Sequence, residues 1–267
     1  MSEHPSSREA PGYWDSVAEE WGESGRQAVW RAHSDAVNSK LARHWLPAGP
    51  LERLLKTDAF DEAVGGGLYP VLAERARRVT VIDVSDSALE AARRRYPALE
   101  GVQADARALP FAAGAFDAVF SNSTLDHFPS FVDIRGAVAE LHRVLRPGGV
   151  LVITLDNLAN PVVALRNALP FGLVARLGLV PVYVGATCGP RRLRRLLDES
   201  GFEVEEVSAV MHAPRVLAVP AAAFLQRHGP ARARRGFLGL LSGAEGLRRL
   251  PTRYLTGHFV AARACRR

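Results

Sequence analysis

With 267 residues, 48% of them hydrophobic, the chain can bury the core of one large domain with insertions, which excludes a disordered chain. Its formal charge of +6 is carried almost wholly by arginine, Lys40 and Lys56 being the only lysines, and no basic stripe with interleaved aromatics appears, so no nucleic acid partner is expected. Cys188 and Cys265 are too isolated for a disulfide framework or a zinc site and point to a reducing, cytoplasmic setting.

The opening residues, "MSEHPSSREAPGYWDS", are polar and hold no signal-peptide core. Residues 1–50 are expected to form an N-terminal helical cap, in which Tyr13, Trp14 and Trp21 share roughly one helical face. From Leu54 the chain alternates short apolar runs with helical patterns, the mark of a doubly wound sheet. "LLKTDAF" is the first expected strand, although Lys56, Thr57 and Asp58 make it polar, and "VLAERARR" follows as a helix. "VTVIDVS" is a second strand, and Ser85 caps the helix of "SDSALEAARRRYP". "LEGVQAD" and "FDAVFSNS" read as strands three and four. "FVDIRGAVAELHRVLRPGG" is an amphipathic helix stopped by Pro147-Gly148-Gly149, before "VLVITL" as strand five.

Residues 51–157 thus form the core, and 158–189 a lid insertion. The most apolar stretch, Pro161 to Val184, is broken by Arg166, Asn167, Pro170, Arg176 and Pro181, so no integral membrane segment is expected. Residues 190–267 complete the core with the helix "PRRLRRLLDESGF" and the strands "EVEEVSAVMH" and "GHFVAARA", separated by a basic helical insertion at 213–253. Both insertions hang near strand ends, where open α/β sheets bind ligands.

Between the first strand and its helix lies "FDEAVGGGLYP". A glycine-rich turn lets a ligand approach backbone and points helix N-terminal amides at it. A nicotinamide site needs G-x-G-x-x-G/A, and Gly65-Gly66-Gly67-Leu68-Tyr69-Pro70 puts proline at the third position. Asp83 ends strand two, where a carboxylate can accept both hydroxyls of an adenosine ribose, a device common to dinucleotide and S-adenosylmethionine (SAM) sites.

Later residues separate the two. "GVQADARALPF", "GAFDAVFSNSTLDHF" and "LHRVLRPGGVLVITLDN" resemble the class I SAM-dependent methyltransferases, notably the small-molecule group with D-x-x-x-L-P-F, F-D-x-V and L-R-P-G-G. The resemblance covers residues 54–157 and implies a Rossmann-like, doubly wound, seven-stranded α/β sheet with a C-terminal antiparallel hairpin and helical lid insertions. It implies SAM as cofactor and a small-molecule substrate, most simply methylated on oxygen in secondary metabolism, and leaves a homodimer open. A lipid or isoprenoid acceptor, or a SAM-binding protein without catalysis, are the alternatives.

Laying the family's D-x-G-x-G-x-G on this chain with Gly67 as its last glycine puts Gly65 on the second, Ala63 on the first and Asp61 on the acidic residue, with Asp58 or Glu62 as substitutes for Asp61. The resemblance then assigns Asp61 to the cofactor's amino group, Gly65, Gly66 and Gly67 to ligand packing, and Asp83 to the ribose. It sets Asp105 and the Ala106 amide on the adenine, Val84 and Leu109 on the ring faces, and Ser121 and Asn122 beside the methyl donor.

Methyl transfer from a sulfonium needs alignment and water exclusion, and a base only for a poorly ionised acceptor. His127, just past strand four, is the leading base and His212, at the end of strand six, the second. Asp156-Asn157 ends strand five, where metal-dependent relatives hold magnesium, but strand four offers Ser121 or Asn122 in place of the needed carboxylate and Asp126 lies a few residues too far on unless a loop returns it, so no metal is expected.

Overall fold

The computed structural model describes residues 11–24, 27–176 and 182–267. The polar leader 1–10 and residues 177–181 of the apolar insertion lie outside the described residues.

Two helices, α1 (Pro11–Ser24) and α2 (Ala28–Trp45), precede the sheet. The chain then runs β1 (Leu51–Lys56), α3 (Phe60–Val64), α4 (Tyr69–Ala73), β2 (Ala76–Asp83), α5 (Asp86–Arg95), β3 (Glu100–Gln103), β4 (Phe116–Asn122), α6 (Phe131–Val144) and β5 (Leu145–Asp156). The remainder is α7 (Pro161–Ala168), α8 (Phe171–Arg176), α9 (Pro190–Glu199), β6 (Phe202–Val210), α10 (Arg215–His228), α11 (Ala231–Ala244), α12 (Arg253–Thr256) and β7 (Phe259–Arg266). The seven strands form one sheet in the order β3-β2-β1-β4-β5-β7-β6. Five are parallel, and β7 runs antiparallel to both β5 and β6, the expected terminal hairpin.

Alternation along the strands sorts the apolar residues onto two faces. Leu54, Val79, Val81, Phe120 and Val152 pack on one side with Trp30 and Leu41 of α2 and Leu89 of α5. Leu55, Ile82, Val119, Ile153 and Val260 pack on the other with Ile134 and Leu141 of α6 and Leu193 and Leu197 of α9. Ser85 Oγ accepts from the Ala88 amide at 3.0 Å and Ser130 Oγ from the Asp133 amide at 3.2 Å, so the helices after β2 and before β5 start where their caps dictate.

Three local expectations change, the first being that α6 ends at Val144 and Pro147-Gly148-Gly149 lie within β5 instead of stopping the helix. The first strand stops at Lys56, because its ammonium turns inward to the Asp58 carbonyl at 2.7 Å and pulls the chain into a turn. The helix expected over "VLAERARR" ends at Ala73, and Ala76 to Arg78 already belong to β2. Here Arg77 and Arg78 sit on a strand with side chains in solvent, Arg78 paired with Glu100 of β3 at 2.7 Å, so a helix-forming run serves as the start of a buried strand. Among the described residues no helix is long and apolar enough to cross a membrane.

Candidate functional site

Strand order reverses between β1 and β4, and open sheets bind ligands at the carboxyl ends flanking such a point. A cavity of about 1100 Å³ lies there. Its floor is the row of strand ends carrying Asp83 (β2), Asp58 (after β1), Asn122 (β4), Asp156 (β5) and Phe259 (β7). Its walls come from Trp14 and Trp21 of α1, Arg31 of α2, Val162 and Leu165 of α7, and Arg215 and Val219 of α10. This volume slightly exceeds that of a pocket for one drug-sized ligand, leaving room for a nucleoside and a second molecule.

At the β2 end, Asp83 Oδ2 accepts from the Ala59 amide at 2.8 Å and Oδ1 from the Ser85 amide at 2.9 Å. With one donor on each oxygen the carboxylate has lone pairs left for further hydrogen bonds, and burial pushes its pKa up to about 6 despite these donors. Val84, Ala106 and Asp105 line the same end, with the Asp105 carboxylate already bound by the Arg107 side chain, at 2.7 Å to Nη2, and by its amide at 2.8 Å. Leu109, expected on the adenine face, is instead buried in the core beneath α6. Asp61 and Asn122 meet at the cavity, Nδ2 of the asparagine 3.5 Å from Asp61 Oδ2, while Arg31 Nη2 binds Asp61 Oδ1 at 3.3 Å. Ser121 does not reach the cavity: it is fully buried and its Oγ accepts from Thr57 Oγ1 at 3.0 Å.

The glycine run is not at the strand end. β1 stops at Lys56, and Gly65, Gly66 and Gly67 follow the helix α3, away from the cavity lining. Their carbonyls dock on α5, Gly65 accepting from Arg95 and Gly66 from Tyr96 Oη at 2.5 Å. Gly67 has φ +63°, and a Cβ there would stand 2.8 Å from the Glu62 amide nitrogen. Ala63 is buried inside α3 and also misses the cavity. Counted from the observed strand end, the family pattern lays Lys56 on the acidic residue and Asp58, Phe60 and Glu62 on the glycines. Lys56 Nζ sits 3.0 Å from both Asp58 Oδ1 and Glu62 Oε2. Burial opposes its charge, but the two carboxylates outweigh that and hold its pKa above the ordinary lysine value. Glu62 Oε1 meanwhile accepts from the Leu68 and Tyr69 amides at 2.8 and 3.0 Å, closing the turn into α4. The ring of Phe60 is drawn aside, 5.5 Å from that of Trp21 and 5.6 Å from the Arg31 guanidinium, which keeps the strand end open.

At the β4 end, His127 lines the cavity in a short 3-10 turn, Leu125–His127. Its Nδ1 lies 2.6 Å from the Tyr183 carbonyl, which can only accept, so Nδ1 carries the proton and Nε2 is the basic nitrogen. The Tyr183 amide donates to Tyr13 Oη at 2.9 Å and Trp14 packs edge-on 4.9 Å from the imidazole, so α1 fixes the histidine from both sides. His212 also lines the cavity but has no nitrogen to spare. Its Nε2 donates to the Ala209 carbonyl at 3.1 Å and its Nδ1 accepts from Thr256 Oγ1 at 2.8 Å, while burial lowers its pKa.

The β5–β7 end holds residues that sequence reasoning did not single out. Arg166 Nη2 reaches Asp156 Oδ2 at 2.5 Å and His258 Nε2 lies 3.2 Å from Asp156 Oδ1. Burial resists the Asp156 charge, but His258 and Arg166 hold its pKa well below the carboxylate range. Arg215 Nη1 approaches His258 Nε2 at 3.3 Å, and burial with the Arg215 charge drives the imidazole down to about 4. Asn157 is committed elsewhere, its Nδ2 donating to the Tyr254 and Gly257 carbonyls at 2.8 and 3.0 Å. Arg31, Arg215 and His258 lie in stretches to which the sequence assigned no role, and only the folded chain brings them to the cavity.

These residues suit SAM. Asp83 presents a carboxylate with spare lone pairs where a ribose diol would donate, and among the described residues Arg31 Nε is a buried donor without a hydrogen-bond partner beside Asp61. A family profile described as a methyltransferase domain matches residues 61–153. The chain is 38% identical to a malonyl-[acyl-carrier protein] O-methyltransferase of Enterobacter lignolyticus over 46% of its length and 45% of the relative's. It is 36% identical to the demethylmenaquinone methyltransferase of Thermus thermophilus over 54% of its length and 74% of the relative's. The chain therefore spans less than half of the first relative and about three quarters of the second. Among solved structures, the geranyl diphosphate C-methyltransferase of Streptomyces coelicolor superposes with a TM-score of 0.57 at 16% identity, covering 87% of this chain and 78% of that one, a likeness of fold. The strand-end carboxylate, the cavity at the switch point and these matches together place the chain in the class I SAM-dependent methyltransferases.

Proposed function

We propose that this enzyme methylates an oxygen of a small, largely apolar acceptor, with His127 as the base. When bound, SAM supplies an electrophilic methyl group on a sulfonium. Asp83 would hold the ribose hydroxyls, with Val84 and Ala106 beside the base and Arg31 and Asp61 toward the amino acid end. Trp14 and Trp21 would close the site from α1 and exclude water. The acceptor would lie past Asn122 among Val162, Leu165, Val184 and Val219, so its hydroxyl faces His127.

The observation that carries this reading is the fixed His127 tautomer. A carbonyl on Nδ1 leaves a lone pair on Nε2 of a histidine that lines the cavity, where it would take the hydroxyl proton as the methyl arrives. The curated relatives are named for an acyl-carrier-bound malonyl group and a demethylmenaquinone, and the apolar lining supports a hydrophobic acceptor of lipid or isoprenoid type over a sugar. The test is transfer of labelled methyl from SAM to hydroxylated aromatics, prenyl alcohols and sugars. Product from the apolar hydroxyl compounds, lost in His127→Asn, supports the reading; product only on nitrogen or carbon, or undiminished turnover in that variant, overturns it.

A further inference from the structure

The cavity continues past the methyl-transfer region to a cationic end for which the transfer itself has no use. Arg215, the first residue of α10, lines it. Its guanidinium lies 5.7 Å from the Trp30 ring centroid and 5.8 Å from that of Phe259, which fixes its place between the helices and the start of β7. Among the described residues its one hydrogen-bond contact is His258 Nε2 at 3.3 Å, and no carboxylate forms an ion pair with it.

That contact does not satisfy it. A neutral imidazole nitrogen bears either a proton or a lone pair, and His258 Nε2 also faces Asp156 Oδ1 at 3.2 Å. If Nε2–H donates to Asp156, Arg215 meets an N–H; if the lone pair accepts from Arg215, Asp156 is left facing it. Asp156 already takes Arg166 at 2.5 Å, and its backbone amide donates to the buried Asp126 at 2.9 Å, so neither carboxylate is turned to Arg215. With five donors and one compromised acceptor, the guanidinium has donors left to offer a ligand in the cavity it lines.

Resting on the methyltransferase reading, we propose that the acceptor is an amphiphilic acid whose carboxylate or phosphate docks on Arg215 while its apolar body fills the cavity. The sheet sets the spacing. β4, which bears the methyl-transfer region, and β7, at whose start Arg215 stands, are separated by β5, so the acidic group binds two strand spacings, roughly 10 Å, from the methylated atom. Val163, Val216, Val219 and Leu255 line the cavity for the apolar body, while Asp156 at the end of β5 is neutralised by Arg166.

Octanoate, octyl phosphate and octanol, titrated by calorimetry with and without S-adenosylhomocysteine, test this. At least one anion should bind about tenfold tighter than octanol or better, and the stronger of the two identifies the acidic group. Arg215→Met should reduce that anion to the affinity of octanol while leaving S-adenosylhomocysteine binding unchanged, and Arg215→Lys should keep part of the difference. Equal binding of octanol and both anions to the wild-type protein overturns the proposal, as does an unchanged anion affinity in a folded Arg215→Met. If the wild-type protein fails to bind S-adenosylhomocysteine, the methyltransferase reading falls, while the anion titrations without it still decide the role of Arg215.

Discussion

Asp83 was legible as a cavity residue because a carboxylate ending the second strand stands at the sheet's ligand edge, and Asp61, found by counting back from the glycines, lines the same cavity although Lys56 occupies the strand end where the pattern puts an acid. A buried lysine offers no sequence cue: its partners Asp58 and Glu62 read as substitutes for Asp61 until the fold brings them within 3.0 Å of Lys56. With Asp83 as the proposed ribose ligand, its pKa, raised to about 6 through burial, should give SAM binding a pH dependence. Ribose hydroxyls donate to the ionised carboxylate, so binding favours the charged form, and affinity should be level above pH ~6 and fall as pH drops below it, approaching tenfold per unit. Calorimetric titration of SAM from pH 5 to 8 checks this, and Asp83→Asn should flatten the profile. At His127 the expectation is kinetic: His127→Ala should lower turnover on a hydroxyl acceptor about a hundredfold with SAM affinity nearly constant, read from initial rates at saturating SAM.

At the scale of elements, the succession of strands and helices followed from hydrophobic period and capping, since Ser85 starts its helix as the sequence implies, and the structure adds Ser130 as the cap of α6. The turn after β1 did not, because its conformation is set by long-range packing against α2 and α5. There the glycines serve the fold. Gly67→Ala forces a side chain onto φ +63° and against the Glu62 backbone, so it should destabilise by about 1 kcal/mol or more, seen as a fall in Tm, with SAM affinity retained by the folded fraction. Lys56→Met would strand Glu62, fully buried, beside Asp58, and should cost on the order of 3–5 kcal/mol in urea denaturation. If both variants melt like the wild-type protein, the turn is not held as described.

For the molecule as a whole, the sequence foresaw a doubly wound sheet with an antiparallel end and helical insertions near the site, because motif order and strand patterning survive at every level of packing. It did not foresee that α2 and α10 deliver Arg31 and Arg215 into one cavity, since residues far apart in sequence meet there only through the sheet order. The same assembly commits Asp156 to Arg166 and His258, and Asn157 to two carbonyls, so EDTA should leave turnover unchanged; activity lost in EDTA and restored by magnesium would reassign them. The most direct test of the account is calorimetric titration of the wild-type protein and Asp83→Asn with S-adenosylhomocysteine at pH 8. A single micromolar site in the wild-type protein, weakened about tenfold or more by a substitution that leaves the fold intact, is the predicted result; no binding to the wild-type protein, or equal affinities, would contradict it.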